Sequence, residues 1–219
     1  FWGGIGCHSF ANVSRVTKVN VTGFGLSCPA IPDDFGRLPL LTELILSNNV
    51  VRELPVLTSL VNLAFLECNS CHLQGVVDGR FMQWNATMRY LELSNNDLHG
   101  ALPSEIFSPK LEALDVSGNR LAGELPHMSG SPELTFFSAH SNRLTGPLPA
   151  SLFDLANLSD LFLNSNQLGD GVYGLDAAVG RLSRLRMLML FGNRLAGRIP
   201  AALINCTRLE RMYLYTNAF

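Results

Sequence analysis

The sequence has few charged residues, and neither sign predominates. Charged side chains make up 16% of the 219 residues, and the formal net charge is −2 at pH 7. Binding to nucleic acid depends on a basic surface that neutralises phosphates, so this balance argues against nucleic acid as a partner. The sequence also has no run of about 20 apolar residues, so we expect no membrane insertion by this segment.

The motifs of common catalytic and metal sites are missing as well. No Gly-Lys-Ser/Thr element is present to cradle a phosphate, and the five histidines are not paired with plausible nucleophiles. The one Cys-x-x-Cys, formed by Cys68 and Cys71, has no second cysteine pair to complete a zinc site. We therefore expect the segment to be non-catalytic, with no cofactor and no bound metal.

An internal repeat is the main feature that the sequence does have. The pattern Leu-x-x-Leu-x-Leu-x-x-Asn-x-Leu, usually followed by Gly-x-Leu/Ile-Pro, recurs every 22 to 27 residues from position 16 onward. The successive copies begin at Val16, Leu41, Leu63, Met88, Leu111, Leu134, Leu158, Leu185 and Leu209. This period and these residues are typical of a leucine-rich repeat.

The repeat predicts an α/β-type leucine-rich-repeat solenoid. In the copy LEALDVSGNRLAGELP, Leu114 and Val116 are two positions apart, which is the spacing of side chains on one face of a strand. Stacked copies would pair these strands into a parallel β-sheet on the concave face and share one core. The glycines and prolines predict turns, short strands and 3-10 or other short helical segments on the convex face.

The asparagine of each copy is predicted to turn inward, where its amide can bond the backbone groups that the chain frees on leaving the strand. This asparagine ladder comprises Asn49, Asn96, Asn119, Asn142, Asn166, Asn193 and Asn217. Phe24 and Cys71 replace the asparagine in the first and third copies. The third copy also lacks the Gly-x-x-Pro element, reading LQGVVDGRFMQWNATM instead, and the seventh is lengthened through GDGVYGLDAAVG.

The ends of the chain indicate a fragment. Residues 1–15 are interpreted as the remnant of an N-terminal cap, and residues 16–219 as about nine repeats with the last one truncated, so further repeats or domains are expected in the parent protein. Cys7 lies in this cap, and both a lost upstream cysteine and Cys28 remain candidates for its disulfide partner. Cys68, Cys71 and Cys206 are expected to be buried structural thiols.

Asn-x-Ser/Thr sequons favour the secretory route and an extracellular or cell-surface location. Each is a candidate glycosylation site, and glycosylation would take place in the secretory pathway. The sequon asparagines are Asn12, Asn20, Asn85, Asn157 and Asn205.

The cap FWGGIGC, the following SRVTKVNVTGFGLS and the later GRIPAALINCTRLERMYLYTNAF resemble the plant-type leucine-rich repeats, and the resemblance covers essentially the whole chain. The same repeat class occurs in surface antigens of kinetoplastid parasites. The resemblance implies an extracellular recognition module of a cell-surface receptor or surface antigen, often ahead of a membrane anchor and sometimes a kinase. A secreted inhibitor of an extracellular hydrolase and a regulatory segment of a receptor kinase are the alternatives.

Residues between the repeat leucines are predicted to point to the concave face, where a protein or peptide ligand would bind. Glu67, Glu92 and Asp115 form a predicted row of carboxylates, which we call the acidic row. The aromatic patch beyond it comprises Phe162, Met187, Met189, Phe191, Tyr213 and Tyr215, and Phe136 and His140 complete the candidate site. We predict a polypeptide ligand with basic and apolar segments. The alternative to ligand binding is that the patch is covered by missing coils, a co-receptor or a second copy of the chain.

Overall fold

Short parallel strands form the framework of the computed structural model, which describes residues 16–30, 33–54, 58–169, 171 and 174–219. Cys7, Asn12 and the rest of the predicted cap remnant lie outside these residues. Nine of the described strands pair in chain order into one parallel sheet, the concave sheet. They are Lys18–Asn20, Glu43–Ile45, Phe65–Glu67, Tyr90–Glu92, Ala113–Asp115, Phe136–Ser138, Asp160–Phe162, Met187–Met189 and Arg211–Tyr213.

The central residue of nearly every concave strand points into the core. Leu44, Leu66 and Leu114 are fully buried, and Leu44 is directly in register with Leu66. The residues on either side of these leucines point to the concave surface, because side chains alternate along a strand. In the edge strand Arg211–Tyr213 the central Met212 stays 39% exposed.

Shorter elements form the opposite side of each coil. A second parallel sheet, the convex sheet, contains Gln74–Val76, Asp97–Gly100, Arg120–Glu124 and Arg143–Thr145, and Ser27–Ala30 pairs separately with Val50–Glu53. The 3-10 helices are Asp33–Arg37, Ser104–Ile106, Ala150–Asp154, Ala177–Arg181 and Ala201–Asn205. None of the helices within the described residues could cross a bilayer.

The irregular third copy carries a short α-helix, Gly79–Met82, where other copies have 3-10 turns. It keeps the glycine of the Gly-x-x-Pro element, because Gly75 has φ +93°, in the same left-handed region as Gly100 at +80°. Asp78 stands in the place of the proline and caps the helix by accepting a hydrogen bond from the Arg80 backbone N–H at 3.0 Å. The substitution therefore replaces a rigid turn with a capped helical turn.

The repeat asparagines lie inside the coil and bond to two coils at once. The Asn119 Oδ1 accepts a hydrogen bond from the Leu98 N–H of the preceding coil at 3.0 Å. Its Nδ2 donates to the carbonyls of Leu93 and Val116, both at 3.0 Å. Asn49, Asn96, Asn142, Asn166, Asn193 and Asn217 donate to their own and the preceding coil in the same way.

Cysteine side chains are part of this core. Cys71 takes the asparagine position of the third copy, and its Sγ donates to the Leu46 carbonyl at 3.4 Å. Cys68 is also fully buried, and burial raises the pKa of its thiol well above the ordinary value, with Cys71 adding to the rise. Cys206 is buried with its Sγ 3.3 Å from the Val179 carbonyl oxygen. Protonated, buried thiols of this kind are poor nucleophiles.

Candidate functional site

Three carboxylates lie side by side on the concave face. Glu67 is in register with Glu92, and Glu92 with Asp115, so the acidic row crosses three adjacent strands. Neighbouring strands of a sheet are about 4.8 Å apart. Within the described residues, none of the three carboxylates has a lysine or arginine partner at salt-bridge distance. The row is therefore a concentration of negative charge without a local cation.

Polar side chains at the ends of the strands hold the acidic row in place. The Ser47 hydroxyl donates to Glu67 Oε1 at 2.6 Å, and the Asn69 Nδ2 donates to Glu92 Oε2 at 3.1 Å. Asn69 Oδ1 in turn accepts hydrogen bonds from the N–H of Ser94 at 2.8 Å and from its hydroxyl at 3.0 Å. Each of these bonds joins one coil to the next, so the Glu67 and Glu92 carboxylates are held in place by the neighbouring coils. Asp115 instead accepts a hydrogen bond from the Ser117 N–H of its own coil.

Glu92 is the carboxylate most affected by this arrangement. Burial raises its pKa above the ordinary value, and the negative charges of Glu67 and Asp115 raise it further, whereas the hydrogen bond from Asn69 lowers it. A carboxyl group in this environment resists ionisation more than it would in the unfolded chain. A cation placed over the row would reverse that effect by compensating the charge.

Replacement of Glu92 by glutamine is expected to stabilise the protein at neutral pH. Because the folded-state pKa is raised, the contribution of Glu92 to stability is fully present below its unfolded pKa and is lost as pH rises through the folded pKa. Urea unfolding of Glu92→Gln and wild type at pH 7 and at pH 4 measures the difference, which should be larger at pH 7. Glu133→Gln, on the exposed surface, is the control for loss of charge, and an equal gain in both variants would contradict the explanation.

Aromatic and methionine side chains follow the acidic row along the same face. Phe136 and Phe162 meet edge to face with ring centroids 5.5 Å apart. Phe191 stacks on Tyr215 at 4.6 Å with an interplanar angle of 12°, and Tyr213 meets Tyr215 edge-on at 6.5 Å. The exposed fraction is 39% for Tyr213 and 60% for Tyr215. The aromatic patch thus offers both flat faces and ring edges to solvent.

The remaining predicted side chains lie beside these rings. Met187 and Met189 are in register with Asp160 and Phe162 and are partly buried. The His140 Nδ1 is 3.0 Å from the Ser141 hydroxyl, and its ring is partly buried on the concave side. The structure thus brings the predicted ligand site together as one continuous surface whose character changes from acidic to apolar.

A charged cluster at the end of the concave sheet where its strands begin was not predicted. The Tyr90 hydroxyl donates to Glu112 Oε2 at 2.5 Å, and Arg89 Nε donates to Glu112 Oε1 at 2.7 Å. These two bonds lower the pKa of Glu112, with Tyr90 the larger cause. The cluster borders an open groove of about 800 Å³ that Lys110 and Glu133 also line. Arg89 and Glu112 each stand immediately before a concave strand. Their equivalent positions in the repeat could have predicted from the sequence that they meet when the coils stack.

The sequon asparagines occupy different environments. Asn20 is exposed at the end of the first concave strand, and its Oδ1 accepts a hydrogen bond from the Thr22 hydroxyl at 2.8 Å. Asn85 Nδ2 donates to the Glu105 carbonyl at 2.5 Å, and Asn157 Nδ2 donates to the Pro132 carbonyl at 2.9 Å. Asn205 is exposed at the end of a convex 3-10 helix. A glycan on Asn20 would therefore stand at the concave face, whereas one on Asn205 would not.

Metal binding finds no support in these side chains. In the part of the chain that the structure describes, no group of three or more histidine, cysteine, aspartate or glutamate residues is arranged to hold a metal ion. Carboxylates on flat neighbouring strands lack the enclosing oxygen ligands that calcium takes in proteins.

Comparison with known proteins identifies the repeat. The model of the Leucine Rich Repeat family matches residues 87–108 and 110–131. Epiphycan of Gallus gallus is 31% identical over 97 residues, which is 44% of this chain and 30% of Epiphycan. The predicted leucine-rich-repeat solenoid is confirmed by these matches together with the sheet topology.

Solved structures of plant receptors share this architecture. The plant peptide hormone receptor RGFR1, solved in complex with RGF2, is 32% identical with a TM-score of 0.77, over 86% of this chain and 30% of the receptor chain. The LRR ectodomain of the membrane receptor kinase GASSHO1/SCHENGEN3 from Arabidopsis thaliana, in complex with CASPARIAN STRIP INTEGRITY FACTOR 2, is 29% identical with a TM-score of 0.71. That match covers 90% of this chain and 26% of the ectodomain chain. The chain spans less than a third of the length of these relatives.

Proposed function

We propose that this leucine-rich-repeat solenoid is an extracellular recognition module of a cell-surface receptor or surface antigen, and that it binds a protein or peptide along its concave face. The observation that carries the proposal is the continuous surface of the acidic row and the aromatic patch. The similarity to RGFR1 and to the GASSHO1/SCHENGEN3 ectodomain, both solved in complexes, supports a ligand-binding role.

The chemistry of the surface favours a ligand with basic and apolar segments. Lysine or arginine over the acidic row would supply the missing countercharge for Glu67, Glu92 and Asp115, and charge complementarity steers encounter and fixes register. Apolar or aromatic ligand side chains would cover Tyr213 and Tyr215, and aromatic residues dominate the energetics of protein interfaces. Because the two regions lie on one sheet, a single extended segment can contact both.

Selection of a random peptide library, displayed on phage, against the immobilised chain tests the proposal. We expect enrichment of peptides that combine basic and aromatic or aliphatic residues. Replacement of Phe162, Phe191 and Tyr213 together by serine should weaken binding of the enriched peptides by at least about 30-fold, because truncation of one interface anchor costs about 2 kcal/mol or more. Titration calorimetry measures the change, and circular dichroism checks that the variant is folded.

Phe24→Ser is the matched control, since Phe24 is 59% exposed and lies in the turn after the first concave strand, far from the patch along the stack. It should bind as wild type does. The triple variant Glu67→Gln, Glu92→Gln, Asp115→Asn should weaken binding and reduce its dependence on salt. Unchanged affinity in the serine variant, or enrichment of no peptide by wild type, would refute recognition at this face.

A further inference from the structure

Asn164, two residues after the concave strand Asp160–Phe162, has an amide oxygen without a partner among the described residues. Its side chain is only 8% exposed, and within the described residues its Oδ1 accepts no hydrogen bond. The Nδ2 makes one long contact, 3.5 Å to the Ser165 hydroxyl. Buried polar groups of native proteins are nearly always paired, and an unpaired one is costly. The described part of the chain therefore does not supply the hydrogen-bond donor that the Asn164 oxygen would be expected to have.

The same position in another coil shows what the amide normally does. Asn69 takes the corresponding place in the third copy, and its side chain bonds to Glu92 and Ser94 of the next coil. The register that pairs Glu67 with Glu92 pairs Phe162 with Met189, so Met189 and Phe191 stand where the fourth copy has Glu92 and Ser94. Neither side chain has a hydrogen to donate to the Asn164 Oδ1. The Phe191 backbone N–H, which stands in the place of the Ser94 N–H, forms no hydrogen bond to it either. Both coils therefore carry asparagine at this position, but only Asn69 has polar side chains opposite it in the next coil.

The surroundings of Asn164 are those of a ligand subsite. Backbone hydrogen bonds place it between two neighbours, since the Ser141 N–H donates to the Asn164 carbonyl and the Ser165 N–H donates to the Phe191 carbonyl. On one side is the Phe136–Phe162 pair, and on the other the stacked Phe191–Tyr215 pair. Met189 is unbranched with several rotatable bonds, so it can move aside at low cost. The amide lies among these rings, with two polar neighbours: Asp160 in its own coil and His140 in the preceding one.

We propose that Asn164 is a specificity-determining residue of the aromatic patch, and that its amide oxygen accepts a hydrogen bond from an N–H or O–H donor of the bound polypeptide. Apolar ligand groups on both sides of that donor cover the neighbouring rings. The inference rests on the proposed function and adds the chemical pattern that the ligand must carry. A site built to bond a donor discriminates strongly against an analogue that lacks it.

The first test compares Asn164→Leu with Asn69→Leu by thermal unfolding. Both changes remove the same amide from the same position of the repeat. We expect Asn164→Leu to melt at or above the wild-type temperature, because it removes an unpaired polar group from an apolar setting. Asn69→Leu should melt clearly below wild type, because it leaves Ser94 and Glu92 without their partner. Equal losses in the two variants would show that the Asn164 amide is satisfied within the coil and would overturn the inference.

The second test uses the peptides that the phage library yields on wild type. Asn164→Leu should bind them about tenfold more weakly or worse, which is the scale of one lost hydrogen bond at an interface. Replacing the donor residue of the peptide by an apolar one should lower affinity for wild type and leave affinity for Asn164→Leu unchanged, as in a double-mutant cycle.

The outcomes separate the two proposals. In one outcome, the selected peptides lose affinity when Phe162, Phe191 and Tyr213 are replaced, yet bind Asn164→Leu as tightly as wild type. That result would support the proposed function and refute the role of Asn164. A library that yields no binder of the concave face would remove both.

Discussion

Replacing Gly130 with alanine is expected to destabilise the protein by about 3 kcal/mol, the upper end of the usual cost of overpacking a dense interior. A Cβ at this position would lie 2.1 Å from the backbone oxygen of Phe107 in the preceding coil. The Phe107 backbone cannot shift easily to relieve the clash, because the Phe107 side chain is buried. Its ring packs edge to face on the fully buried Phe137, with the ring centroids 5.5 Å apart. Urea unfolding monitored by circular dichroism measures the loss.

Gly79→Ala provides the matched control for Gly130→Ala. Nothing lies within 4 Å of a Cβ at Gly79, which is the first residue of the short α-helix. Alanine is a better helix former than glycine by up to about 1 kcal/mol, so this variant should be neutral or slightly stabilised. Similar unfolding midpoints for the two variants would contradict the close contact between adjacent coils at Gly130.

Replacing Asn119 with alanine should lower the free energy of unfolding by about 1–3 kcal/mol, the cost of leaving buried backbone groups unpaired. The change leaves the Leu98 N–H without its acceptor and removes the donor to the carbonyls of Leu93, Val116 and Ser117. Because Leu93 and Leu98 belong to the preceding coil, the loss weakens the contact between coils and not only the turn itself. The urea midpoint reports the effect.

Arg120→Ala, at the adjacent residue, controls for a change of side chain at the same turn. Arg120 is exposed and forms a surface ion pair with Asp97 at 2.7 Å, and exposed pairs of this kind contribute about 0–1 kcal/mol. We expect its midpoint to stay near that of wild type. An unchanged midpoint in Asn119→Ala would mean that the amide bonds of the ladder are replaced by water without cost.

The periodic features of the structure were predictable because they depend on one copy of the repeat at a time. Alternation around Leu114 places Asp115 on the concave face, and the constant pattern places Glu92 and Asp115 in register. A local pattern therefore predicted both the solenoid and the surface on which the acidic row and the aromatic patch lie.

Features that depend on two neighbouring coils were not predictable in this way. Asn69 and Asn164 are the same residue type at the same repeat position, yet the amide oxygen of Asn69 accepts two hydrogen bonds and that of Asn164 accepts none. The next coil presents Glu92 and Ser94 to Asn69, but Met189 and Phe191 to Asn164. The bond between Tyr90 and Glu112 has the same origin, since its two residues are 22 apart and meet only when the coils stack.

The regular register of the concave sheet sets the spacing that a polypeptide ligand of the proposed kind would have to match. Glu92 and Phe162 stand three strands apart, because Asp115, Ser138 and Phe162 follow Glu92 in the paired order. At about 4.8 Å per strand this span is about 14 Å. An extended polypeptide advances about 3.4 Å per residue, so the cationic residue and the first apolar anchor of a ligand that crosses the strands should be about four positions apart.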